Sequence, residues 1–279
     1  MKMAGRSKSL DIEVAGVIPT AVRAELVKEL VKFILYQRNQ IPMYFDQLAD
    51  SLARESQSLE NDVISFRQSK SPRSQQQELV KTVQALFQLV RDVFDSGDVI
   101  KQILIILGPN IILPKDAYLL HLPTEFYEGP PVTARSCIQS VFRMFYSEDF
   151  LSDAVPLSSS TNLFLFFLAP RSCDHTRFNL IPRLNYSLPP GGLMYEVNLL
   201  CTASSVTLGT AELGSPNSKE LNISGVHPLD NSVTVNAAEN TALFTVLPST
   251  DDDYVWFQAP VTVKGYREKA PDTVGLWGH

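Results

Sequence analysis

The sequence predicts an α+β domain in which helices pack on a mainly antiparallel β-sheet. Helices dominate the first half of the chain, where apolar residues recur at helical spacing, and strands dominate the part beyond Phe150. Because the two kinds of element are segregated and do not alternate, a parallel βαβ protein is not expected. A chain of 279 residues, 44% of them apolar, is long enough to bury one sizeable core.

Three main helices and one short helix are expected. The first begins near Thr20, whose hydroxyl can cap free backbone N–H groups, and ends at Gln37, because the sequence before Pro42 disfavours the α conformation. Ser74 and Gln77 form a capping-box pattern that opens the second main helix. The stretch between residues 53 and 73 is rich in Ser, Gln and charge and predicts a solvated connection. The predicted helices are Thr20–Gln37, the short Met43–Leu52, Ser74–Phe94 and Ala134–Tyr146.

The remaining apolar runs predict strands. The run Leu163–Ala169 is apolar on both faces, so we expect it at the centre of the sheet. Val99–Leu107 and Lys115–Leu122 are separated by a Gly-Pro-Asn turn and predict a hairpin. The other predicted strands are Leu193–Cys201, Leu243–Leu247, Tyr254–Phe257 and Pro260–Lys264.

One domain is expected over residues 19–268. Residues 1–18 are predicted to be a flexible N-terminal tail, and residues 269–279 a C-terminal tail. Within the domain, residues 202–240 are rich in Ser, Thr, Asn and Gly and predict long loops with weak strand segments.

Composition excludes several functional classes. With 24 Lys plus Arg against 30 Asp plus Glu, the net charge is 24 − 30 = −6, and no basic block suits a nucleic acid or an anionic membrane. The three cysteines, at wide spacing, form no CxxC pair for zinc. No apolar run approaches the roughly 20 residues of a membrane span. We expect a soluble intracellular protein without metal or cofactor.

Catalytic motifs are also missing. The sequence has no phosphate-binding GxxxxGK[ST] loop, no dinucleotide GxGxxG, no HExxH and no GxSxG. The one cluster that suggests an enzyme is Cys173-Asp174-His175, but neighbouring residues rarely give a thiolate and its base the geometry they need. A thiol-dependent enzyme that uses Cys173 and His175 is therefore an unfavoured alternative.

The segment Tyr254–Glu268 (YVWFQAPVTVKGYRE) is unusual because it contains four aromatic residues and a proline. Pro260 lacks an N–H group and should lie at a sheet edge or a bend. Together with Phe33–Pro42 and Ile103–Asn110, this segment closely resembles the comet family, which binds the spindle-checkpoint protein Mad-two (Mad2). The matches occur in the same order and extend from about Val22 to Glu268.

The resemblance implies a HORMA-like domain with a C-terminal safety belt held on its own sheet. It also implies a non-enzymatic adaptor that binds closed Mad2 through a pseudo-symmetric HORMA–HORMA interface. The adaptor would present Mad2 to a hexameric AAA+ ATPase of the Pch-two type, so that checkpoint complexes are disassembled and the spindle checkpoint is silenced. Nuclear and cytoplasmic location, with spindle or kinetochore association in mitosis, follows from the same resemblance.

Site residues follow from the family motifs. Gln37 and Phe142 match the Mad2 contacts, and Pro182 and Arg183 match the ATPase contact, where the family pattern has Pro-Lys. Because Arg presents a planar fork and Lys a point charge, this replacement changes the contact geometry. The residues predicted to form the safety belt are Tyr254, Trp256, Phe257, Gln258 and Pro260.

From the residues alone, other interpretations stay open. Gln37 is also consistent with a helix-end cap or a solvated side chain. Phe142 lies at the edge of its apolar stripe and is consistent with an ordinary core residue or with an exposed anchor. Pro182-Arg183 suits a turn before a strand. The client is also open, because meiotic chromosome-axis HORMA proteins are an alternative to Mad2. A third possibility is a HORMA module whose belt opens to capture a peptide.

Overall fold

Four helices pack against one face of a mixed β-sheet in the computed structural model, which describes residues 6–59, 72–124, 129–188, 191–202 and 253–267. The helices in this part of the chain are α1 Thr20–Gln37, α2 Phe45–Leu59, α3 Pro72–Asp95 and α4 Ala134–Ser147. The strands are β1 Arg6–Ala15, β2 Gln102–Gly108, β3 Asp116–His121, β4 Asn162–Pro170, β5 Ile181–Arg183, β6 Leu193–Thr202, β7 Tyr254–Gln258 and β8 Val263–Lys264. The predicted α+β class is confirmed.

The sheet has the strand order β1-β6-β3-β2-β4-β7-β5, and β8 also pairs with β4. Strand β6 runs parallel to both β1 and β3, while the other pairings are antiparallel. The predicted hairpin is present as β2 and β3. The run that is apolar on both faces lies centrally as β4, between β2 and β7, because each of its faces meets other apolar residues.

The core is divided by the sheet. The larger cluster contains the buried residues of all four helices and the strand residues that face them, such as Ile105, Phe167 and Phe257. A smaller cluster on the opposite face contains Leu104 and Phe166 and no helix residue. The helices therefore lie on one side of the sheet, and the sheet presents alternate strand residues to the two sides.

The prediction of a flexible tail over residues 1–18 is wrong for residues 6–15, which form β1 and pair with β6 over ten residues. The alternation of Leu10, Ile12 and Val14 with polar residues is the period-2 pattern of a strand whose one face is buried. Thr202, the first residue of the loops predicted over 202–240, is instead the last residue of β6. Residues 1–5 lie outside the described part of the chain, as do the rest of those predicted loops, the strand predicted at Leu243–Leu247 and the tail predicted over 269–279. The prediction of one domain over 19–268 stays a prediction.

Two helix boundaries also differ from expectation. The second helix, α2, continues to Leu59, so the predicted solvated connection is helical over residues 53–59. Ala53, Arg54 and Glu55 are exposed, but all three have high helix propensity. Helix α3 begins at Pro72, two residues before the predicted Ser74, because proline is well suited to the first helical position.

The predicted strand Pro260–Lys264 is shorter than expected. Pro260 is exposed and lies outside the ladder, which resumes only at β8, where Val263 and Lys264 pair with Leu163 and Asn162. Proline has no N–H group to donate, so the sheet is interrupted where the sequence predicted an edge or a bend. None of the described helices is long and apolar enough to cross a bilayer.

Candidate functional site

The structure brings Phe142 of α4 beside α1. The Phe142 ring packs edge-on against Phe33 with ring centroids 5.0 Å apart, and against Phe145 with centroids 5.8 Å apart. Phe142 is half-buried, whereas Val141 beside it on the helix is fully buried. One side of the ring is thus held by two aromatic neighbours while the other faces solvent. The Phe142 side chain is therefore partly exposed and is held in place by its neighbours.

Gln37 lies on the same surface. It follows Phe33 by one helical turn and is the last residue of α1, with its side chain half-buried. The helix ends here because Asn39 adopts a left-handed conformation (φ 55°). Among the described residues, the Gln37 amide makes no side-chain hydrogen bond, so it can donate to and accept from a partner. We call the surface formed by Phe33, Gln37 and Phe142 the α1–α4 face.

Pro182 and Arg183 lie on β5, the strand at the outer edge of the sheet beside β7. Pro182 is exposed, but the Arg183 guanidinium is engaged within the chain. Its Nε and Nη2 donate to Oε1 of Gln258 at 3.0 and 2.7 Å. The two nitrogens of the fork bind one amide oxygen, which ties β5 to β7 and leaves Pro182 as the more accessible of the two predicted contact residues.

The predicted belt residues are held on the sheet. Phe257 and Gln258 are buried in β7, Trp256 packs on the smaller cluster, and the Tyr254 ring receives the Lys101 ammonium at 3.8 Å from its centroid. β7 is paired on both sides, with β4 and with β5. We refer to residues 253–267 as the C-terminal segment. Four of the five belt residues lie in one strand; Pro260 does not.

A buried amide fixes the far end of the C-terminal segment. The Gln40 side chain donates from Nε2 to the Arg38 carbonyl at 2.9 Å and accepts from the Thr161 N–H at 2.7 Å. The backbone carbonyl of Gln40 accepts from the Tyr266 N–H at 2.7 Å, and the Gly265 N–H donates to the backbone carbonyl of Thr161 at 2.8 Å. Gln40 thus joins the end of α1, the start of β4 and the C-terminal segment.

An ion pair supports this anchor. Arg38 and Asp116 are both buried, and the Arg38 Nε donates to Oδ2 of Asp116 at 2.7 Å. Burial raises the pKa of the Asp116 carboxyl, and the Arg38 charge offsets part of that rise. The Arg38 Nη1 also donates to the Val155 carbonyl. The sequence around Arg38 and Gln40 predicts only the end of a helix, and no local pattern signals that these polar side chains are buried.

The thiol alternative lacks the required geometry. Cys173 is buried, and burial raises the pKa of its thiol to about 11, whereas a catalytic cysteine needs a lowered pKa. The His175 ring contacts the Cys173 carbonyl through Nδ1 at 3.3 Å and stacks on Phe257. Within the described ranges, no three His, Cys, Asp or Glu side chains converge as metal ligands would.

Comparison with known proteins gives consistent matches. Residues 6–213 match the family model described as "p31comet: Mad1 and Cdc20-bound-Mad2 binding". The chain is 28% identical over 247 residues to the human MAD2L1-binding protein, which covers 86% of this chain and 73% of the human protein. It is 27% identical over 245 residues to the mouse MAD2L1-binding protein, covering 86% of this chain and 72% of the mouse protein.

Proposed function

The chain belongs to the p31comet family, and on that premise we propose that it is a non-enzymatic adaptor that binds closed Mad2 through the α1–α4 face. The observation that carries this proposal is that a half-buried aromatic ring on α4 lies beside α1, whose last residue, Gln37, has a side-chain amide with no hydrogen bond to any described residue. Phe142 supplies apolar area, and Gln37 supplies a donor and an acceptor that can fix orientation. The proposal includes a pseudo-symmetric interface between two HORMA-like domains.

The packing around Phe142 supports its role as an anchor. Its contacts with Phe33 and Phe145 restrict the ring before any partner arrives. A side chain that is already ordered loses less conformational entropy on binding. More of the free energy gained by burying it therefore contributes to the affinity. Aromatic residues in this situation often dominate the energy of an interface.

The docked C-terminal segment supports an adaptor over a peptide-capturing module. In the isolated chain, β7 is paired on both sides and the Gln40 anchor holds Gly265 and Tyr266. A belt that captures a ligand must first open, and opening here exposes the buried Phe257 and Gln258. We propose that this segment is a safety belt that stays closed on its own domain.

Presentation to a hexameric AAA+ ATPase of the Pch-two type is the second part of the proposal. Pro182 on the edge strand is the contact residue that the geometry leaves accessible, while Arg183 keeps β5 in place through Gln258. The consequence would be disassembly of checkpoint complexes and silencing of the spindle checkpoint, in the nucleus and cytoplasm and at the spindle.

Binding of purified closed Mad2 to the full chain tests the interface. The double variant Phe142→Ala with Gln37→Ala should weaken binding by about 30-fold or more, because an anchor of this kind contributes roughly 2–4 kcal/mol. Ile112→Ala, which trims an exposed side chain on the turn between β2 and β3, is the matched control and should bind as wild type. A thermal melt of each variant checks that the fold is retained. Wild-type affinity in the double variant would refute the interface.

The ATPase contact needs a separate variant. Pro182→Asp should reduce binding of the ATPase while binding of Mad2 stays unchanged, since Pro182 lies on β5 and Phe142 lies on α4. Assays against meiotic HORMA proteins in parallel determine the client. Stronger binding to a chromosome-axis HORMA protein than to Mad2 would indicate that the client of this adaptor is the meiotic protein.

A further inference from the structure

The outward surface of α4 continues beyond Phe142. Arg135, Gln139, Phe142 and Tyr146 follow one another at spacings of four, three and four residues, so they form one line along the helix. All but the half-buried Phe142 are exposed, and Arg143 is exposed beside Phe142. We call these five residues the outer stripe of α4.

Tyr146 is the most prominent side chain of the outer stripe. It is 71% exposed and lies one turn beyond Phe142, on the same side of the helix. A tyrosine has a large apolar body and a polar tip, which is why it is enriched where proteins meet. Together with Phe142 it presents two aromatic rings on one side of the helix.

The charge of the outer stripe is opposite to that of the chain. Arg135 and Arg143 are exposed, and within the described residues neither forms an ion pair. From Val132 to Ser147 the sequence contains no acidic residue, although the whole chain carries a net charge of −6. The charge reverses only where the helix ends, at Glu148 and Asp149.

The two arginines are close enough to act on one partner surface. Eight residues of helix separate them, which corresponds to about 12 Å along the axis. That distance is similar to the Debye length of roughly 10 Å at 0.1 M salt, so their charges reinforce each other at the surface of a single partner.

We infer that the outer stripe extends the Mad2 interface: Tyr146 is a second aromatic anchor, and Arg135 and Arg143 select a face of the partner that carries carboxylates. This inference rests on the proposed function and specifies the partner surface, an apolar groove bordered by acidic side chains. Complementary charge would mainly accelerate association and exclude cationic surfaces, whereas the buried ring would slow dissociation.

Association and dissociation rates with purified closed Mad2, measured at about 0.1 M and about 0.5 M salt, separate the two contributions. Tyr146→Ala should weaken binding about tenfold or more at both salt concentrations, mainly through faster dissociation. Arg135→Glu with Arg143→Glu should slow association by about tenfold at low salt, and this defect should shrink at high salt. Lys81→Glu on α3, which reverses the charge of another exposed cation, is the control and should change neither rate.

The outcomes distinguish this inference from the proposed function. If Tyr146→Ala and the double charge reversal bind as wild type while Phe142→Ala with Gln37→Ala does not, then Tyr146, Arg135 and Arg143 lie outside the interface, the inference is wrong, and the adaptor proposal stands. If all three variants bind as wild type, the assignment of the α1–α4 face as the Mad2 interface is wrong. If the wild-type chain does not bind Mad2, both proposals fail.

Discussion

The Gln40 anchor can be tested by adding one methyl group. A Cβ atom at Gly265 would lie 2.4 Å from Oε1 of Gln40 and 3.1 Å from its Cδ. Gly265→Ala should therefore destabilise the fold and loosen the C-terminal segment. The clash cannot be relieved freely, because the Gln40 side chain is fully buried and holds the Thr161 N–H at 2.7 Å.

The magnitude follows from the two ways in which the structure can respond. Shifting the backbone of the C-terminal segment is overpacking, which costs roughly 1–3 kcal/mol. Rotating Gln40 away leaves the buried Thr161 N–H without its acceptor, which also costs about 1–3 kcal/mol. The chain takes the less costly response, so we expect a loss of about 1–3 kcal/mol in the free energy of unfolding.

A double-mutant cycle measured by denaturant unfolding checks this reasoning. In a Gln40→Ala background the Oε1 and Cδ atoms are gone and only the 3.1 Å contact with the Gln40 Cβ remains, so Gly265→Ala should cost less than about 1 kcal/mol there. Gly191→Ala is the matched control, because a Cβ at Gly191 meets no atom of the described residues within 4 Å. Hydrogen exchange should rise in residues 253–267 of the Gly265→Ala variant and stay unchanged in the Gly191→Ala control.

Two results would contradict the anchor. If Gly265→Ala is as neutral as Gly191→Ala, the contact with Gln40 does not hold the segment. If the full cost of Gly265→Ala persists in the Gln40→Ala background, the strain arises elsewhere and the buried amide is not its cause.

Three further predictions concern buried groups. Tyr195→Phe should leave the unfolding free energy unchanged or raise it by up to about 1 kcal/mol, since the buried Tyr195 hydroxyl has no hydrogen-bond partner in the described structure; a loss above about 2 kcal/mol in a denaturation curve would indicate a partner. Asp116→Leu should cost about 3–5 kcal/mol because it leaves the Arg38 charge buried and unpaired, and Arg38→Met should restore much of that loss; equal stability of the single and double variants would refute the pairing. Iodoacetamide should modify Cys173 slowly near pH 8 and faster as the pH rises toward its thiol pKa of about 11, because the thiolate is the reactive form; rapid modification at neutral pH, read by peptide mass spectrometry, would revive the thiol alternative.

Sequence patterns predicted the elements whose signal is local. The run around Phe166 is apolar on both faces, as expected for a central strand that is covered on both sides, and its residues are buried or half-buried in β4. Phe142 was recognised as an edge position because helical spacing fixes its angle relative to Val141. Strand β1 carries an equally local signal, since Leu10, Ile12 and Val14 alternate with polar residues, and the predicted N-terminal tail did not take account of it.

Contacts between distant residues left no such signal. Arg183 and Gln258 are 75 residues apart, and nothing in either neighbourhood shows that the cation is satisfied within the chain. Gln40 and Thr161 are 121 residues apart, and a glutamine after a helix is usually solvated. The contact between Phe33 and Phe142 likewise depends on how α1 and α4 pack. Periodicity shows which residues of a helix or strand share a face, but it does not show which faces pack against each other.

The parallel pairing of β1 with β6 has a consequence for synthesis of the protein. Arg6 is aligned with Leu193 and Ala15 with Thr202, so β1 leaves the ribosome 187 residues before the strand with which it pairs. Contacts of such long sequence separation slow folding. The β2–β3 hairpin can form early, but the nascent chain exposes the apolar side of β1 until β6 has emerged. We expect newly made chains to depend on chaperones during this interval, and a chain that terminates before residue 193 to aggregate.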